Sequence, residues 1–64
     1  MKKFEYKLLE ANRSMFKGVD YQKLYEQLSH LGILGWEVVS TVSVTASGGL
    51  TDHLLVTLKR ELPG

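Results

Sequence analysis

The spacing of apolar residues changes period twice along this chain, and that alone narrows what it can fold into. Phe4, Tyr6 and Leu8 alternate with Glu5, Lys7 and Leu9, the two-residue period of a half-buried, aromatic-rich strand over residues 4–10. Tyr21, Leu24, Leu28 and Leu31 then recur at three- and four-residue steps, which marks an amphipathic helix of about three turns. The shorter period returns in Val38, Val42 and Val44, and again in Leu54, Val56 and Leu58, inside segments dense in β-branched residues. The order is β-α-β-β. It predicts an α+β fold, with a three-stranded, mainly antiparallel sheet and one helix packed on one face.

Polar residues and glycines supply the boundaries. Asn12-Arg13-Ser14 ends the first strand, and Met15-Phe16-Lys17-Gly18 reads as a loop whose large apolar residues fold back on the core. Asp20 is placed to cap the helix N-terminus, Gly32 to end the helix in a left-handed conformation, and Gly35 to re-aim the chain before Trp36. Ser47-Gly48-Gly49 is turn chemistry between the second and third strands.

Parity sets the register. The apolar residues of both later strands are even-numbered, so sharing one buried face requires even to pair with even. A three-residue Ser47-Gly48-Gly49 loop meets that condition. It opposes Glu37 to Lys59 and Ser43 to His53, and leaves the odd-numbered residues on the outer face. The third strand is the most continuously apolar, which suits a central position and a strand order two-three-one. The first strand lying parallel beside the second is the alternative.

Length now enters. A chain of 64 residues is one small domain over 1–64 that buries only roughly 60% of its unfolded surface. Such chains commonly add disulfides, a structural metal or self-association. Cysteine is absent, which removes disulfides and thiolate zinc sites and leaves association. Charges follow Met1-Lys2-Lys3 where a signal peptide needs an apolar run, and no stretch is apolar enough to span a bilayer. A soluble cytoplasmic protein is expected. The net charge of +1 does not mark the whole surface for polyanions.

Phe4-Glu5-Tyr6-Lys7-Leu8-Leu9-Glu10, Leu31-Gly32-Ile33-Leu34-Gly35-Trp36-Glu37-Val38-Val39-Ser40 and Leu58-Lys59-Arg60 together resemble a family of short bacterial proteins of unknown function. The resemblance spans nearly the whole chain, and the Gly-Trp-Glu-Val-Val-Ser segment is its most specific part. It implies a fold and no activity. The loop from Ala11 to Val19 is longer than the family pattern.

No catalytic constellation emerges. Ser43 beside His53 is the nearest approach to a dyad, but it lacks oxyanion donors, an orienting third group and a cleft. Asp52 and His53 point to opposite sides of a strand and cannot together begin a metal site. Gly48-Gly49 is no phosphate loop, because a strand and not a helix follows it, and no cofactor is expected.

Two surfaces remain. Lys2, Lys3, Lys59 and Arg60 gather near Trp36 at one end of the sheet, a basic group beside an aromatic that could hold single-stranded nucleic acid or another anion. Glu5, Glu37 and Glu61 dilute it, and Trp36 reads first as a core-edge anchor. On the outer face, Leu9, Val39, Thr41, Leu55 and Thr57 form an apolar-centred patch suited to self-contact. The expectation is a non-enzymatic homo-oligomeric structural or interaction module that binds itself and a possible protein partner, with no membrane. The alternatives are an oligomer binding a small flavin-like or anionic ligand, and a nucleic-acid accessory protein using the basic edge. Flavin-binding dodecins share the β-α-β-β order, without this sequence's pattern.

Overall fold

The computed structural model describes residues 1–14, 18–45, 48, 49 and 51–63. The chain forms β1 (Phe4–Ser14), β2 (Gly18–Val19), α1 (Tyr21–Ile33), β3 (Glu37–Thr45) and β4 (Thr51–Glu61). The strands make one antiparallel sheet in the order β2-β1-β4-β3. Its three long strands thus lie in the expected order, with the strand after the glycine turn at the centre.

The class is α+β as predicted, but the described residues form four strands. The first strand does not stop at Glu10. It runs to Ser14 and turns back through β2, with Arg13 opposite Val19 and Ser14 opposite Gly18. Gly18 at φ 72° permits that return, and Val19 joins the core. Polar Asn12 and Arg13 read as a breaker, yet pairing with β4 and β2 satisfies their backbone groups. The suggestion that Met15 and Phe16 fold onto the core lies outside the described residues.

Helix α1 begins where expected: the Asp20 carboxylate accepts from the Lys23 amide at 3.0 Å. It ends later than expected. Gly32 stays helical, and Gly35 at φ 95° is the left-handed residue. The Gly35 amide donates to the Gly32 carbonyl and the Trp36 amide to the Leu31 carbonyl, both at 3.0 Å. That is a Schellman ending, with Trp36 and Leu31 both packed against the core. The glycine that aims Trp36 and the glycine that stops the helix are therefore one residue.

Strand β3 departs from strict alternation. Glu37 pairs with Lys59 and Val38 with Leu58, as parity predicted, but Val39 is skipped and Ser40 pairs with Thr57. This bulge inserts one residue and exchanges the faces of everything after it. Val42 consequently lies opposite Leu55, Ser43 opposite Leu54, and Val44 opposite His53. The expected Ser43–His53 juxtaposition does not form. Parity is restored at Thr45, which pairs with Thr51. Gly48 and Gly49 both have positive φ, while Ser47 falls outside the described residues.

The core sits between α1 and the β1–β4 pair. Ala11, Val19, Leu24, Val56 and Leu58 are buried, with Leu9, Leu28, Leu31, Trp36 and Leu54 packed around them. Cross-strand partners share a face, so Glu5, Lys7, Leu9 and Ala11 lie on the helix side with Leu54, Val56, Leu58 and Arg60. The first strand is therefore turned over relative to expectation. Its aromatic, even-numbered residues face out.

Candidate interaction surface

A helix of 13 residues is about 20 Å long, whereas an 11-residue strand such as β4 extends about 36 Å. One helix cannot cover a sheet of that length, and β3 lies at the sheet edge away from β1. All nine residues of β3 are exposed. Val38, Val39 and Val42 are each about half accessible.

The outer face collects Phe4, Tyr6 and Leu8 from β1, Leu55 and Thr57 from β4, and Val42 and Val44 from β3. Tyr6 and Leu8 are 65% and 67% exposed. Lys59 lies among them, its Nζ 4.6 Å from the Phe4 ring centroid and 3.5 Å from Glu37 Oε1. The result is an apolar stretch crossing three strands, with an ion pair at one end.

The structure divides the expected patch. Leu55 and Thr57 are on the outer face, and Val39 sits on the bulge. Leu9 packs against the core on the helix side, and Thr41, opposite Val56, also faces that side. Tyr6, Leu8, Val42 and Val44 take their places. Only the bulge exchanges the β3 residues, and no local sequence signal announces it. For β1 a signal existed: Ala11 and Leu9 share odd parity with Lys7, whose amine has an aromatic partner available in Trp36.

Trp36 is half-buried beside two cations. The Arg60 guanidinium is 4.6 Å and Lys7 Nζ 5.2 Å from its ring centroid. Arg60 also donates from Nε and Nη2 to Glu5 Oε2, at 3.1 and 2.9 Å, and from Nη1 to the Leu34 carbonyl at 3.1 Å. The expected basic edge is thus split. Lys59 and Arg60, adjacent on β4, project to opposite faces, and each meets a glutamate and an aromatic ring. Lys2 and Lys3 are exposed at the same end.

Two clefts flank α1 on its β1 side. One of about 310 Å³ is lined by Lys7, Leu8, Leu9, Gln27, His30 and Leu31. A smaller one of about 120 Å³ lies beside Asp20, Lys23 and Asn12. The His53 ring lies 3.0 Å from the carboxylate of its neighbour Asp52, and among the described residues no group of three or more metal-ligating side chains converges. No described helix is long and apolar enough to cross a membrane.

A family model described as a domain of unknown function (DUF4177) matches residues 4–61. The chain belongs to this family. The match runs from the first residue of β1 to the last of β4, so every strand and the helix of this DUF4177 domain lie within it. Neither a curated relative nor a solved structure matches the chain significantly.

Proposed function

We propose that this DUF4177 chain is a non-enzymatic, homo-oligomeric interaction module that associates through the outer face of its sheet. The observation that carries this reading is an excess of surface. A compact monomer of 7.2 kDa exposes roughly 4,100 Å², whereas this chain exposes 5037 Å². The difference is about what one partner contributes to a standard interface, roughly 800 Å². The radius of gyration of 13.8 Å agrees, against about 11 Å for a compact chain of this length.

The exposed side chains are of the right kind. Leu8, Val42, Val44 and Leu55 form the apolar part of the outer face, with Ser40, Thr57 and His53 between them, Glu10 on the β1 side and Tyr6, Lys59 and Glu37 at one end, a mixture found in protein interfaces. The nucleic-acid reading has less support, because Lys59 and Arg60 are each paired with a carboxylate.

Sedimentation at micromolar concentration tests the reading. The expected mass is a multiple of the chain. Leu8→Lys with Leu55→Lys should shift it downward, while Lys59→Gln should not. A wild-type monomer across the accessible concentration range overturns the proposal.

A further inference from the structure

We propose that β3 pairs antiparallel, edge to edge, with β3 of a second copy about a two-fold axis through Ser43, joining two four-stranded sheets into one of eight. This rests on the reading that the chain self-associates, and names a second surface through which it does so.

Edge strands offer a row of unpaired backbone donors and acceptors, and proteins usually blunt them with charge, proline or a covering element. The two edges of this sheet differ in that respect. β1 carries Glu5, Lys7, Glu10 and Arg13, and β2 covers its far end. β3 from Val38 to Thr45 carries no charge and no proline, and all of it is exposed. Two irregularities interrupt its pairing, the bulge at Val39 and a shift between Val44 and Thr45. At the second the skipped residue is Asp52 of β4, so Ser40–Thr45 of β3 keeps its own alternation.

That stretch is complementary to itself. A two-fold axis normal to the sheet keeps each face on its own side, so residues of like parity must meet and the axis must pass through a residue. With Ser43 on the axis, Val42 of each copy lies opposite Val44 of the other on the outer face. On the helix face, Thr41 lies opposite Thr45 and Ser43 opposite itself. Valine meets valine and hydroxyl meets hydroxyl, the pairings that stabilise adjacent strands. An axis at Val42 would instead oppose Val44 to Ser40, and one at Thr41 would run pairing into the bulge. The arrangement also merges the outer apolar stretches of the two copies into one surface.

The chain has no cysteine, so single introduced thiols report the pairing directly. Facing residues on antiparallel strands have Cα atoms about 4.5–5.5 Å apart, within disulfide reach. Ser43→Cys should give a covalent dimer under mild oxidation with folding unchanged. Val42→Cys alone should cross-link far less, because its two copies sit diagonally, about 7–8 Å apart. Val42→Cys combined with Val44→Cys should restore cross-linking. A multimeric wild type in which Ser43→Cys fails to cross-link, or cross-links no faster than Val42→Cys, overturns the edge pairing and leaves self-association standing. A monomeric wild type overturns both.

Discussion

The Arg60 guanidinium lies 4.6 Å from the centroid of the Trp36 ring, joining the last strand to the turn that leaves the helix. The same group binds the Glu5 carboxylate of β1 and the Leu34 carbonyl. One side chain therefore ties three elements together beside the core. Arg60→Ala should cost about 1–2 kcal/mol, from a charge-assisted pair and a cation–π contact that are each partly exposed. Lysine should not restore it, since an ammonium cannot span Glu5 and Leu34 while covering the ring. Lys59→Gln, which removes an exposed pair, should cost under about 1 kcal/mol. Thermal melts with Trp36 fluorescence as the probe separate the two. Equal effects would show that the Arg60 contacts contribute nothing particular.

The two glycines around the helix end should respond oppositely to alanine. At Gly35 a Cβ would meet Arg60 Cδ at 3.3 Å, with φ at 95°, so Gly35→Ala should destabilise by about 1–2 kcal/mol or more. At Gly32 nothing lies within 4 Å and the backbone is helical. Gly32→Ala should stabilise by about 0.5–1 kcal/mol. Denaturant midpoints of the two variants, measured side by side, check the assignment of Gly35 as the helix terminator.

Leu58 and Val56, each 1% exposed, are the most buried side chains among the described residues. Leu58→Ala should cost about 2–5 kcal/mol, a large share of what a domain this small possesses. Because self-association would stabilise the folded form by mass action, the melting temperature of this variant should rise with protein concentration. A midpoint independent of concentration would count against a linked assembly.

Asp20→Ala should cost about 1 kcal/mol, since the first turn of α1 loses the acceptor for the Lys23 amide. The first turn holds no other acidic residue to compensate. Equilibrium unfolding followed by far-UV circular dichroism reads the loss.

The order of the three long strands and the helix, the helix N-cap and the pairing of Glu37 with Lys59 were legible in the sequence, because each depends on neighbours in the chain or on a period that a few residues reveal. The short β2 was not. The burial of Val56 and Leu58 followed from the same alternation. Gly32 and Gly35 could not be ranked that way. Both are compatible with a left-handed ending, and the choice falls to whichever lets Trp36 reach Leu31 and the core.

The faces of the sheet were decided only by tertiary structure. In β1, alternation offers Phe4, Tyr6 and Leu8 or Leu9 and Ala11 as the inner set. Small Ala11 and slender Leu9 fit beneath the helix, and Lys7 reaches Trp36, so the aromatic set turns outward. In β3, one skipped residue at Val39 moves Val42 and Val44 to the opposite face from Val38, although all three share parity. Sequence determines that such residues alternate. Where the alternation slips, and which side the helix takes, depends on packing between segments far apart in the chain, and so the outer surface could not be read from spacing alone.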